Sequence, residues 1–327
     1  MGMDRLFAKL ALIHSHPAER TFLLADARDA DMAWGIPSFG KGRGVPEFLD
    51  EIRAEVKEGI VDILLASVST MDRLAHRERL FENSPVAPAV RINDATDIWC
   101  QRRARYREQP SAPFRTAYIE EAQFGSLTAP RDRAPAVNLG LYSLTFNNDL
   151  EADLRSLNAF REFRAEAERC GFRYFLEVFA PNCAEIGLTL EEIPDFVNDS
   201  IVRTLAGIPS SGRPLFLKIP YFGPKPLEDL VAYDSSIVVG ILGGSSGTTY
   251  SAFKLLADAQ QHGARVALFG RRIKDSEHPL LFIRMLRAIA DGDLQPEEAV
   301  RVYHAELGKQ HIQPKRDVSE DLQLTTS

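Results

Sequence analysis

Lys218 lies within Leu215-Phe216-Leu217-Lys218-Ile219-Pro220-Tyr221, a run that otherwise reads as a buried strand. Burying an ammonium is costly unless it is paired or neutralised. Desolvation favours the neutral amine, and a neutral amine can attack a carbonyl carbon to form a Schiff base. The alternative is a strand-end lysine that reaches water or pairs with a carboxylate. Glu177, in Phe175-Leu176-Glu177-Val178-Phe179, and Asp26, in Ala25-Asp26-Ala27-Arg28, are ionisable residues in similarly apolar runs. A carboxylate beside a buried lysine can be a salt bridge and nothing more. It can also be the group that both gives and takes a proton in carbonyl chemistry. One buried charge says little, but three on separate strands are hard to explain as packing.

A second signal lies downstream. An apolar run enters Gly243-Gly244-Ser245-Ser246-Gly247-Thr248-Thr249, and a later one ends in Gly270-Arg271-Arg272. Small residues let backbone N–H groups approach an anion, and a helix N-terminus favours negative charge. Arg271 or Arg272 can grip phosphate oxygens through paired hydrogen bonds. A tight turn that needs glycine for backbone reasons alone is the competing explanation. Both loops carrying the signal together favours phosphate.

The elements that must position these residues alternate along the chain. Strands are predicted at 21–26, 60–67, 87–92, 136–143, 174–179, 215–219, 237–242 and 264–269, each followed by a helical stretch. Strict alternation implies parallel strands joined by crossover helices. Eight such units favour a single α/β (β/α)8 TIM barrel over an open doubly wound sheet. Functional residues of that fold lie at strand C-termini, and its usual phosphate site follows strands seven and eight. Strand one then carries Asp26 and Arg28, strand four Asn138, strand five Glu177 and strand six Lys218. The segment 94–133, with Trp99, fits no repeat and reads as an elaborated loop after strand three; 116–123 within it could be a short strand or hairpin. The barrel spans 1–307, and 308–327 is a polar tail expected to be loosely held. The stretch 238–272 imitates a Rossmann unit, with Tyr250 and Lys254 as a Tyr-x-x-x-Lys pair. Only about 80 residues follow its glycine loop, too few for a dinucleotide domain with a catalytic half.

Composition narrows the function classes. The 327 residues are 45% hydrophobic and 26% charged, with a net charge of −7. This argues against a nucleic-acid surface, with the Arg-rich stretch 102–107 read as a solvated helix face or phosphate-side decoration. Cys100, Cys170 and Cys183 stand far apart, a reduced, cytoplasmic pattern. The apolar run 9–13 is too short for a signal sequence, and no segment is long enough to span a bilayer. Of seven histidines, none falls at a strand end, so no metal site is expected.

These residues together resemble the Schiff-base (class I) aldolases of the barrel superfamily. The pattern is similar to the tagatose-1,6-bisphosphate and sulfofructose-phosphate aldolases, with archaeal-type fructose-bisphosphate aldolases next. The matching blocks are Ala25-Asp26-Ala27-Arg28, Phe175-Leu176-Glu177-Val178, Leu217-Lys218-Ile219-Pro220, Gly243-Gly244-Ser245-Ser246 and Gly270-Arg271. Each is short; the specificity lies in the ordered set. The resemblance implies that Lys218 is the Schiff-base lysine, Glu177 the catalytic glutamate and Asp26 the first-strand aspartate, followed by Arg28. It implies that Gly243, Gly244, Ser245, Gly270 and Arg271 hold a substrate phosphate. There are two departures. Tagatose-type enzymes carry a second lysine on strand four, where this chain has Asn138. Archaeal-type enzymes use a strand-five tyrosine, where the nearest residue here is Phe179. The implied activity is a metal-independent, cofactor-free aldehyde-lyase acting on a phosphorylated ketose, in the cytoplasm, without nucleic-acid or membrane partners and compatible with a homo-oligomer. A sugar-phosphate-binding barrel that has lost its chemistry, and a barrel isomerase sharing the phosphate site, are the alternatives.

Overall fold

A computed structural model of the chain describes residues 2–39, 44–93, 102–129, 132–244 and 247–325. Helix α1 (Gly2–Ser15) precedes strand β1 (Leu23–Arg28). Helices α2 (Asp31–Trp34) and α3 (Val45–Glu58) lead to β2 (Ile63–Ala66), and α4 (Val68–Met71) to β3 (Ala87–Arg91). Then α5 (Ile119–Phe124) precedes β4 (Leu139–Thr145), α6 (Leu150–Arg169) precedes β5 (Arg173–Phe179), and α7 (Ile193–Ala206) precedes β6 (Leu217–Ile219). Helix α8 (Pro224–Tyr233) leads to β7 (Val239–Leu242), and α9 (Thr249–Gln261) to β8 (Val266–Phe269). Helices α10 (Arg271–Lys274), α11 (Pro279–Asp291), α12 (Pro296–Lys309) and α13 (Val318–Asp321) complete the order.

All neighbouring strands pair in parallel, and β8 closes on β1 with Leu23 opposite Val266. The expected (β/α)8 barrel is what forms. Alternate residues face opposite sides of each strand. Leu23, Ala25, Ile63, Leu65, Ala87, Ala89, Leu139, Leu141, Phe175 and Phe216 fill the interior. Leu24, Leu64, Val90, Tyr142, Leu176, Leu217 and Ile241 face outward into the layer shared with the helices. Both faces are dry, so the strands read as unbroken apolar runs rather than as an alternating pattern.

The structure places both terminal segments. The apolar run 9–13 belongs to α1, whose Leu6, Leu10 and Ile13 join the interior cluster. Their spacing sets them on one helical stripe. Arg5 and Lys9 of α1 pair with buried Asp62 just ahead of β2, so the helix closes the N-terminal end of the barrel. The tail is docked rather than loose. Asp321 of α13 is buried, accepts the Thr249 N–H at the start of α9 at 2.7 Å, and pairs with His304 at 2.9 Å. Thr325 accepts from the Thr248 N–H and bonds Ser251. The tail carboxylate thus satisfies a helix N-terminus that has orphan donors.

The elaborated segment after β3 is described over residues 102–129 and 132–133. Residues 94–101, with Trp99 and Cys100, lie outside the described residues. Within 116–123 the chain turns helical from Ile119 and forms no strand. Ile119 and Ala122 bury one face of α5, Glu121 accepts the Tyr118 N–H, and Gly125 ends the helix at φ 78°. Tyr250 and Lys254 are surface partners of Glu297 and Asp258 on the outer helices, so the Rossmann-like pair has no site around it.

Candidate active site

Strand register builds the site. Phe175 of β5 points inward, so Glu177 does too; Phe216 before β6 points inward, so Lys218 does too. Glu177 and Lys218 are Cα partners across the β5–β6 pair. Their side chains therefore meet at one level, with Lys218 Nζ 2.6 Å from Glu177 Oε1. Both are almost wholly buried, at 5% and 1% exposed. Among the described residues, Oε1 carries this ion pair and no directed hydrogen bond.

The other carboxylate oxygen is held from β3 and β4. Ser143, the Cα partner of Glu177 on β4, donates its hydroxyl to Oε2 at 2.7 Å. Arg91, at the end of β3, donates from Nη2 to the same oxygen at 3.2 Å and from Nη1 to Ser143 Oγ at 2.8 Å. Arg91 Nε reaches Asp29, just past β1, at 2.5 Å. Asn93 locks Ser143 by bonding both its N–H and its carbonyl. The result is a buried chain, Asp29–Arg91–Glu177–Lys218, running round four strands. Burial alone would raise the Asp29 carboxyl's pKa; the Arg91 guanidinium, and then Lys218, outweigh that and hold it below its ordinary value.

This chain floors a cavity of about 760 Å³ at the C-terminal end of the barrel. The volume suits a small phosphorylated metabolite. Gly243, Gly244, Gly270 and Arg271 line one side of it. Gly244 sits at φ +71°, and a Cβ on Gly270 would stand 2.6 Å from the Ala27 carbonyl oxygen. Both glycines thus have backbone reasons besides any anion. Tyr106 and Arg107, from the segment after β3, line the cavity with Asn182, Cys183 and Ile186 of the β5–α7 loop. Asn182 clamps that segment, donating to the Tyr106 and Gln109 carbonyls and accepting from Ser111.

Lys218, Glu177, Gly243, Gly244, Gly270 and Arg271 are therefore brought together. Ser245 lies outside the described residues. Three others are placed elsewhere. Asp26 and Arg28 occupy the outer face of β1, because Ala25 and Ala27 take the inward positions. Arg28 bonds Asp26 at 2.6 Å and reaches Glu51 and Glu55 of α3. Asn138 precedes β4 at the opposite end of the barrel, bonded to Gln123 and the Gly171 carbonyl. Its position follows from β4 beginning at Leu139 and continuing to Thr145, later than the predicted 136–143. Phe179 lines the cavity and offers no hydroxyl. Asp29, Arg91 and Ser143 were missed. Arg91 carried a readable signal, a charge ending the apolar run Ala87–Arg91, the same signal that singled out Lys218.

Among the described residues, no three His, Cys, Asp or Glu side chains are grouped to hold a metal ion, and no helix is long and apolar enough to cross a membrane. No family model matches the chain. The curated 2-amino-3,7-dideoxy-D-threo-hept-6-ulosonate synthase 1 of Archaeoglobus fulgidus is 33% identical over 84 residues, 26% of this chain. That match spans about a third (31%) of the synthase. Among solved structures, the fructose-bisphosphate aldolase from Slackia heliotrinireducens aligns with a TM-score of 0.67 and 17% identity, over 91% of this chain and 89% of that one. An archaeal fructose-1,6-bisphosphate aldolase, its catalytic lysine bound to the carbinolamine intermediate, aligns with a TM-score of 0.63 and 17% identity, over 87% of this chain and 100% of that one. At this identity the likeness is one of architecture: the chain shares the (β/α)8 barrel of these aldolases.

Proposed function

We propose that the protein is a class I aldolase that cleaves or forms a carbon–carbon bond in a phosphorylated ketose through a Schiff base on Lys218. The observation that carries this reading is the Lys218 Nζ–Glu177 Oε1 contact of 2.6 Å on the floor of an open cavity. A proton can pass between those atoms without any other group moving.

In this reading Lys218 yields a proton to Glu177 and its lone pair attacks the substrate ketone. The carbinolamine hydroxyl leaves as water, taking the proton that Glu177 holds. The iminium nitrogen then draws the electron pair of the adjacent carbon–carbon bond as it breaks. Glu177, again a carboxylate, takes the hydroxyl proton of the departing half as its aldehyde forms. The enamine left on Lys218 takes a proton on carbon, and water releases the ketone. Ser143 and Arg91 keep the Glu177 carboxylate turned so that Oε1 stays on Lys218. In this reading Asp29, held by Arg91 and lining the same cavity, orients a substrate hydroxyl. Gly243, Gly244, Gly270 and Arg271 support a phosphate at the β7–β8 side, where remote binding energy aligns the ketone with Lys218. The structural neighbour with a lysine-bound carbinolamine shows that this architecture can carry such chemistry. A sugar-phosphate substrate and widely spaced cysteines fit a cytoplasmic enzyme.

The test is chemical trapping. The protein is incubated with dihydroxyacetone phosphate and borohydride, digested and mapped by mass spectrometry. A reduced adduct on Lys218 is expected; no adduct with any sugar phosphate would sink the Schiff-base role.

A further inference from the structure

Lys218 lies in a buried cluster that contains a second cation. Asp29 faces it from the β1 end, Arg91 from β3, Ser143 from β4 and Glu177 from β5, while Arg271 lines the cavity above. With Asp29 and Glu177 ionised, two carboxylates face two cations. An amine against two carboxylates alone would hold its proton tightly, and a protonated amine cannot attack a ketone. Arg91 changes that balance. Its guanidinium stays charged at any working pH, and its fork engages Asp29 at 2.5 Å and Glu177 at 3.2 Å at once. Asp29 remains compensated by Arg91 when Lys218 gives its proton to Glu177.

We propose that Arg91 is a positioning residue that sets the charge state of Lys218, keeping the amine deprotonatable by holding Asp29 and Glu177 with a cation that never titrates. It does so without touching the reacting atoms. The same arrangement favours the iminium later, because the positive charge returns to the lysine nitrogen opposite a carboxylate that Arg91 has kept in place. The purpose of the device rests on the Schiff-base reading; its test does not.

The test is competitive labelling of Lys218 with acetic anhydride across pH, read by mass spectrometry on the intact protein. The labelling half-point reports where the amine becomes neutral. Arg91→Met should move it up by at least about one pH unit, a tenfold smaller neutral fraction at fixed pH below it. Arg91→Lys should recover most of the shift. Asp29→Asn, which removes a carboxylate and leaves the arginine, should move the half-point down and keeps the test alive if Arg91→Met does not fold. A half-point that stays put in these variants, or moves the opposite way, overturns the proposal. Trapping with dihydroxyacetone phosphate reads the Schiff-base reading separately: a shifted half-point with no adduct keeps the inference and removes the aldolase.

Discussion

Two buried charge clusters flank the same stretch of β1, one on each side of the barrel wall. Inside, Asp29, Arg91, Glu177 and Lys218 open onto the cavity. Outside, Asp26, Arg28 and Glu55 are sealed between β1 and α3, at 0%, 2% and 1% exposed. Both join carboxylates to an arginine by short contacts. What separates them is access. The inner cluster has Glu177 Oε1 facing an amine that a substrate can reach. The cavity that Arg28 lines measures about 10 Å³, too small for a reactant, and the outer cluster's electrostatics are those of a sealed structural cluster. Burial, and then the charge of neighbouring Asp26, push the Glu55 carboxyl well above its ordinary value; burial also raises Asp26, though Arg28 offsets part of it. The two carboxyls share one guanidinium, and burial disfavours charge on both. Ionisable side chains in a dry interior are thus a chemical site only where the strand turns them toward open space.

That contrast can be broken by substitution, most severely at Lys218. Lys218→Met should lower ketose-phosphate cleavage by roughly 10⁴-fold or more and abolish borohydride trapping, with Glu177 still held by Arg91 and Ser143. On the outer side, Arg28→Met leaves two buried carboxyl groups without their cation, and chemical denaturation should show a loss of about 3–5 kcal/mol. The sharpest comparison sets one strand face against the other. Asp29→Asn should cost about 10²-fold in kcat/KM, while Asp26→Asn should leave kcat within about threefold per folded molecule. Equal losses at the two positions would erase the distinction between the clusters.

The smallest effect concerns pH. Glu55 has a folded-state pKa raised from an ordinary value of 4.5, so the stability it contributes is present at acidic pH and lost as pH rises through the raised value. Glu55→Gln keeps a neutral side chain at every pH. The difference in Tm between this variant and the natural protein should therefore grow in the variant's favour from pH 5 to pH 9, an effect on the order of 1 kcal/mol. A constant difference over that range would show that Glu55 is not protonated in the folded chain.

The alternation of apolar runs and amphipathic segments determined the barrel, since parallel strands with crossover helices follow from that order. An amine and a carboxylate inside apolar strands determined the kind of chemistry to look for, and both residues, Lys218 and Glu177, are found facing each other. The loops after strands seven and eight were legible for a similar reason, because glycine and arginine there stand out against apolar strands. The face of β1 was not legible. In Phe22-Leu23-Leu24-Ala25-Asp26-Ala27-Arg28-Asp29 both sides of the strand are dry, so no polar alternation marks which side is the inside. A shift of one residue exchanges the faces. Only the pairing of β1 with β2 and β8, and the packing of α3 against its outer side, turned Asp26 toward the helices and left the cavity to Asp29. Arg91 illustrates the same limit from the other direction: its charge was visible in the chain, but its work depends on four strands meeting at one level, and that closure exists only in the folded barrel.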